Sequence, residues 1–215
     1  MARQKQIKFA ELKTFSNYYD GSTSNRANWG KLVFNNEHPL VLELGCGKGE
    51  YTNDMGRRFP GRNFIGVDLK AVRLWAGAKK AMEADLQNVA FLQINIDSIN
   101  DYFDEEEVAE IWIPFPDPYP RPCKWKKRLM SSVFLNRYRK ILQKQGKLYF
   151  KTDNHDLYKF ALAGLKETDF EIIASTEDLY KSAFLDEQNS VRTYFESIFL
   201  EQEKAIKYIA AVKKT

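Results

Sequence analysis

The chain has 215 residues, 44% hydrophobic and 29% charged, which suits one globular domain with a single sizeable core, and it holds no low-complexity tract. Its two cysteines, Cys46 and Cys123, are too few for a disulfide scaffold, and neither stands in a CxxC or CxxH pair, so no metal is expected. The first residues, MARQKQIKFAELKTF, lack the apolar stretch of a signal peptide and no segment reaches the length of a membrane span, so the cytoplasm is the expected compartment and no membrane partner is foreseen.

Residues 1–30, which include YYDGSTSNRANWGK, hold no sustained period and are expected to form a basic, extended or partly mobile arm. Arg3, Lys5, Lys8 and Lys13 make RNA contact plausible there. From residue 31 to 215 a single domain is expected. Short apolar runs alternate with amphipathic segments: PLVLEL (39–44), NFIGVDL (63–69), VAFLQINI (89–96), EIWIPF (110–115), GKLYFKT (146–152), FEIIAST (170–176) and KYIAAVKK (207–214). The alternation predicts an α/β fold, a mostly parallel seven-stranded sheet with helices on both faces. Val72, Trp75, Ala78 and Met82 recur at helical spacing, as do Leu129, Val133, Phe134, Ile141 and Leu142, and both stripes are expected to be core.

The first strand runs directly into GCGKG, so Gly45, Gly47 and Gly49 stand at a strand-to-helix turn. Glycines there permit a tight turn and close approach of a ligand to the backbone, and the helix start offers unpaired N–H groups. Asp68 closes the second strand 19 residues after Gly49, where a carboxylate can accept both ribose hydroxyls of a nucleotide-like cofactor. Asp97 closes the third predicted strand in the same way. Glu43, Asp68 and Asp97 therefore line the carboxyl edge of the sheet, where ligands of open α/β folds bind. A pyrophosphate cofactor would be disfavoured beside so many carboxylates, whereas the sulfonium and ammonium of S-adenosylmethionine would be balanced by Glu43. That balance favours S-adenosylmethionine.

The fourth strand runs into IPFPDPYPRPCKWKKR (113–128), an apolar run that reaches one aspartate between two prolines and then five cations. Ten Lys and Arg and no Asp or Glu lie between Arg121 and Lys147, leaving 23 basic against 29 acidic residues in the rest of the chain. A one-sign patch on an otherwise acidic protein fits a polyanion, with nucleic acid first among candidates. Arg137, Lys140 and Lys144 extend it along the next helix.

VLELGCGKG, NFIGVDL and the fourth-strand end resemble the class I S-adenosylmethionine-dependent methyltransferases, a Rossmann-like fold. FPDPYP, the basic run after it, FKTDN (150–154) and TYFE (193–196) narrow the resemblance to the bacterial tRNA (guanine-N7)-methyltransferase family, from about Trp29 to the carboxyl terminus. The resemblance implies methyl transfer from S-adenosylmethionine to N7 of a guanosine in the tRNA variable loop, position 46 in tRNA numbering. It places cofactor contacts on Glu43, Asp68, Asp97 and Asp117, beside Gly45, Gly47 and Gly49. It places substrate contacts on Arg121, Asp153, Thr193, Tyr194, Phe195 and Glu196, and RNA contacts on Cys123, Lys124, Trp125, Lys126, Lys127 and Arg128. Tyr119 stands where the family has tryptophan, no histidine occurs in the basic track, and the family's glycine is missing from SIFLEQEKAIKYI (197–209).

Guanine N7 carries a free lone pair, so no base is needed to strip a proton from the nucleophile. Asp117, with its backbone restricted by Pro116 and Pro118, is the candidate catalytic residue, a carboxylate facing the positive charge that methylation creates. Asp153 could accept from guanine N1–H and the exocyclic amine, with Thr193 and Glu196 closing the pocket and Tyr119 stacking on the base. Pro122-Cys123 also resembles the nucleophile pair of cytosine-C5 methyltransferases, and DPYP the motif of amino-group methyltransferases. A non-catalytic RNA-binding relative is the remaining alternative. Monomer and homodimer are both open.

Overall fold

The computed structural model describes residues 2–22 and 28–214; residues 1, 23–27 and 215 and the side chains of residues 2–4, including that of Arg3, lie outside the described residues. The chain forms two compact units, residues 1–104 and 105–215.

In the first unit, α1 (Ala2–Leu12) and β1 (Tyr18–Asp20) precede β2 (Leu40–Leu44), α2 (Glu50–Arg58), β3 (Asn63–Asp68), α3 (Ala71–Glu83) and β4 (Val89–Gln93). The strands lie in the order β1-β4-β3-β2 and every pairing is parallel. Every residue of β2 and β3 is buried, as expected of parallel strands covered on both faces. β1 was not foreseen: three residues give no periodicity, yet Tyr18 pairs with Phe91 and Asp20 with Gln93.

α3 meets the sheet through small residues, burying Ala71, Leu74, Gly77, Ala78 and Ala81. A Cβ on Gly77 would stand 2.8 Å from both Lys48 O and the Phe91 ring, so this close approach admits only a small-residue face. The expected stripe is corrected accordingly: Ala78 is buried, but Val72 and Met82 are turned to solvent. Trp75 instead lies under α1. Its Nε1–H donates to Glu11 at 2.8 Å, and the Lys8 and Lys79 ammonium groups sit 4.2 and 5.1 Å from its ring centroid.

The second unit contains β5 (Val108–Pro114), α4 (Ser132–Ile141), β6 (Leu142–Thr152), α5 (His155–Lys166), β7 (Phe170–Thr176), α6 (Tyr194–Glu201) and β8 (Lys207–Lys213). The order is β5-β6-β8-β7, with β5 parallel to β6 and β8 antiparallel to both its neighbours. Among the described residues eight strands are present where seven were expected, and the class is α/β. α4 buries Phe134, Leu135, Tyr138 and Ile141, whereas Val133, part of the second expected stripe, is exposed. Among the described residues no helix is long and apolar enough to cross a membrane.

The segment lacking the family's glycine closes α6 with a left-handed residue all the same. Glu203 has φ 56°, its N–H donates to Leu200 O at 2.9 Å, and Lys204 N–H donates to Phe199 O at 2.9 Å. A side chain in this conformation is strained by about 1–2 kcal/mol, partly offset by the unfolded-state entropy that a glycine would add. Glu203→Gly should therefore raise stability by about 0.5–1 kcal/mol, readable as an upward shift of the thermal midpoint. A midpoint that stays put or falls would contradict the assignment.

Candidate active site

In the first unit the glycine turn and Asp68 hold one another. Gly45, Gly47 and Gly49 all have positive φ, at 78°, 58° and 68°. At Gly49 a Cβ would also fall 2.4 Å from the Phe91 ring, so glycine is required twice over. The Gly45 and Cys46 N–H groups donate to Val67 O, and Gly47 N–H donates to Asp68 Oδ2 at 3.0 Å. Asp68 Oδ1 accepts from Lys70 N–H at 2.8 Å, fixing the carboxylate at the strand end. A Cβ on Gly47 would meet nothing within 4 Å, so the turn opens onto free space beside an acceptor. This geometry fits an adenosine-bearing cofactor with ribose hydroxyls to donate and a chain to lay along bare backbone.

Glu43 faces a different task. Its Oε2 accepts from the Thr52 N–H at 2.9 Å and from the Thr52 hydroxyl, satisfying an orphan donor in the first turn of α2. Burial pushes its pKa up to about 8, the Glu50 and Asp68 carboxylates add to the rise, and the Thr52 bonds oppose it. A carboxyl whose pKa is raised on folding supports stability fully below its unfolded value near 4.5 and loses that support as pH rises through about 8. Wild-type thermal midpoints should fall, relative to those of Glu43→Gln, between about pH 4.5 and 8, and run parallel above that. Profiles parallel throughout would exclude a buried titrating Glu43.

Asp97 is not at a strand end. β4 stops at Gln93, Asn95 caps a short 3₁₀ helix over Ile96–Asp101, and its side chain accepts from Asp97 N–H at 3.2 Å. The apolar run continues through Ile94 and Ile96, but the asparagine between them competes for backbone donors and ends the strand early. Asp97 remains exposed in that helix's first turn.

In the second unit β5 leads into a braced loop. Phe115 has φ 52° and donates its N–H to Lys151 O at 2.8 Å, and Tyr119 has φ 39°. Arg128 is buried beneath, Nε donating to Pro118 O at 2.8 Å and Nη2 to Tyr119 O at 3.3 Å. Its guanidinium lies 4.8 and 4.5 Å from the Trp125 and Phe160 ring centroids. The resemblance places Arg128 among the RNA contacts, but two carbonyls and two rings turn it inward, where it clamps the loop. Asp117, on that loop, is exposed and makes no hydrogen bond or ion pair with the described residues. Arg121 and the short 3₁₀ helix Pro122–Lys127 follow, carrying Cys123, Lys124, Trp125, Lys126 and Lys127, all exposed. The four cations among these residues make no ion pair with the described residues.

Residues 193–196 divide by direction. Thr193 and Glu196 form a capping box at the start of α6, with Thr193 Oγ1 accepting from Glu196 N–H at 3.1 Å. Glu196 is fully buried, 2.5 Å from Lys151 Nζ, and accepts from the Tyr180 hydroxyl at 3.0 Å. The pocket-closing role foreseen for it is thus committed to the interior, while Tyr194 and Phe195 are 59% and 58% exposed. Lys151 Nζ also donates to Asn189 O and Val191 O, at 2.9 and 3.1 Å. Asp153, just past β6, is part-exposed, with its Oδ2 3.7 Å from Lys204 Nζ. Lys151 and Lys204 were not singled out from the sequence. A lysine directly after the apolar run Leu148–Phe150 was the available signal for the first.

The family model described as "Putative methyltransferase" matches residues 37–209. The tRNA (guanine-N(7)-)-methyltransferase of Porphyromonas gingivalis is 45% identical over 186 residues, covering 86% of this chain and 75% of that protein. That of Bacteroides fragilis is 40% identical over 217 residues, covering 97% and 85%. Among solved structures, the 16S rRNA methyltransferase KamB matches with a TM-score of 0.64 at 13% identity, covering 82% of this chain and 88% of that one. The geranyl diphosphate C-methyltransferase of Streptomyces coelicolor, solved with S-adenosyl-L-homocysteine, matches with a TM-score of 0.57 at 16% identity over 98% and 77%. At these identities the two structures speak to the fold alone.

Proposed function

This chain belongs to the tRNA (guanine-N(7)-)-methyltransferase family, and from that premise we propose how its residues divide the reaction and that its target is position 46 of the tRNA variable loop. The chain is an S-adenosylmethionine-dependent methyltransferase acting on tRNA guanine N7. S-adenosylmethionine supplies an electrophilic methyl group. In the first unit Asp68 accepts the ribose hydroxyls, the glycine turn admits the cofactor's chain, and Asp97 contributes a further acceptor. Glu43 acts through α2, by holding the first turn of the helix that follows the glycines.

In the second unit Asp117 faces the purine as it becomes cationic, Asp153 accepts from the guanine N1–H and amine, and Tyr194 and Phe195 offer rings to unstacked bases. N7 has its own lone pair, so none of these groups has to remove a proton from it. Placement is the main requirement, and proximity accounts for about 7–11 kcal/mol in well-oriented systems. The observation that carries this reading is a carboxylate, Asp117, with no partner among the described residues, on a loop clamped by Arg128 and followed by four cations that make no ion pair with the described residues. A cytosine-C5 route through Cys123 would need a thiol at the strand end, and Cys123 lies in the exposed helix eight residues past Phe115.

Incubation with labelled S-adenosylmethionine and unmodified tRNA, followed by nucleoside mass spectrometry, should yield 7-methylguanosine and no label when position 46 is not guanosine. Label on a cytosine or an exocyclic amine would overturn the proposal. Changing Lys124, Lys126 and Lys127 together to Gln should weaken tRNA binding and reduce its salt slope by about 0.7–0.9 for each phosphate that is no longer neutralised. An unchanged slope would make the track a solvated face.

A further inference from the structure

The turn that ends α6 aims Lys204 back at the base-binding residues. Its ammonium stands 4.7 Å from the Phe199 ring centroid and 3.7 Å from Asp153 Oδ2. Lys204 is exposed and Asp153 part-exposed, with side chains at 47% and 25%. At 3.7 Å the two groups attract as charges without forming a hydrogen bond, so the protons of one and the lone pairs of the other stay open to a ligand. The turn fixes where Lys204 starts, through the bonds of Glu203 and Lys204 to Leu200 and Phe199, and the ring holds its far end.

We propose that Lys204 is a specificity-determining residue for the methylated base: its ammonium donates to guanine O6 while Asp153 accepts from N1–H. The inference rests on the reading of Asp153 as a base acceptor. A donor beside an acceptor complements guanine, whose N1–H lies next to O6. Adenine reverses both, setting the N1 lone pair against the carboxylate and the N6 amine against the ammonium, so it is refused twice by one pair of residues. Charge balance agrees with this assignment. Alkylation at N7 leaves the purine positive, and a lone lysine at O6 would oppose it, whereas Lys204 and Asp153 together carry no net charge.

The test compares wild type, Lys204→Met and Lys204→Arg on tRNA carrying guanosine or 6-thioguanosine at the target position, sulfur being a weak acceptor. Lys204→Met should lower kcat/KM on guanosine by about 10- to 150-fold, the worth of one hydrogen bond to a charged group. Wild type should lose a similar factor on the thio analogue, and Lys204→Met should lose little more. Lys204→Arg should recover part of the loss on guanosine only, with S-adenosylhomocysteine affinity and melting temperature unchanged throughout. Asp153→Asn is run beside them. If Asp153→Asn is inactive while Lys204→Met matches wild type on both substrates, this inference alone fails. If Asp153→Asn is fully active, the reading of the base site fails, and the inference with it. A Lys204→Met loss of equal size on both substrates, with a smaller salt slope, would make Lys204 a phosphate ligand and overturn the proposal.

Discussion

Lys151→Met should cost about 3–5 kcal/mol of stability, the penalty for stranding one member of a buried ion pair. Lys151 and Glu196 are both fully buried, with Nζ 2.5 Å from Oε1 and 2.7 Å from Oε2. Burial draws the lysine's pKa down and the Glu196 carboxylate draws it back. With methionine in its place, Glu196 keeps the Tyr180 hydroxyl and the Thr193 N–H but loses its ion-pair partner, and the carbonyls of Asn189 and Val191 lose their donor. The double variant Lys151→Met/Glu196→Gln should recover a large part of the loss, because neutral groups carry a smaller desolvation penalty. Recovery should be incomplete, since the two carbonyls stay unmatched. Urea unfolding of the two single variants and the double variant reads the coupling directly. A Lys151→Met loss below about 1 kcal/mol would show that the pair does not hold the 186–196 segment to β6.

Activity should follow the same hub. The segment that Lys151 ties down ends in the capping box that presents Tyr194 and Phe195, so the double variant should fold yet turn over slowly, with S-adenosylhomocysteine affinity unchanged. The capping residues are structural first, so the expected effect on turnover passes through the two rings they present.

The succession of strands and turns was legible from the sequence to a useful degree. Five of the seven apolar runs announced β2 to β6 because buried parallel strands need unbroken apolar stretches, while FEIIAST and KYIAAVKK fell on the antiparallel β7 and β8, and Gly45 to Gly49 announced a turn because only glycine takes three positive φ values in so short a span. Direction was not legible. Arg128 reads like Lys126 and Lys127 in a string of cations, yet the carbonyls of Pro118 and Tyr119 and the rings of Trp125 and Phe160 turn it inward. Glu196 reads like a pocket carboxylate until Lys151, 45 residues away, claims it. α3 hid its core face because Ala, Leu and Gly give a weak periodic signal beside Val, Trp and Met. A short strand such as β1 and a left-handed glutamate such as Glu203 leave no pattern at all, since each is set by long-range pairing or by turn closure.

Asp117→Ala should lower single-turnover methylation by about 100- to 1,000-fold, the range for deleting one preorganised group that stabilises transition-state charge. The side chain is exposed and makes no bond with the described residues, so its loss should leave the melting temperature close to wild type. The loop should keep its shape, because the Phe115 N–H bond and the Arg128 clamp act on backbone atoms that the substitution leaves alone. Two roles are assigned to this carboxylate, and S-adenosylhomocysteine binding separates them. Unchanged affinity with lost turnover places Asp117 at the developing purine charge, whereas a parallel loss of affinity makes it chiefly a cofactor ligand. Asp117→Asn refines the result, since an amide keeps the hydrogen-bond acceptor and removes the charge. If charge is what matters, Asn should be nearly as slow as Ala. If a hydrogen bond is enough, Asn should regain much of the rate, and an Ala variant within about threefold of wild type would remove Asp117 from the mechanism.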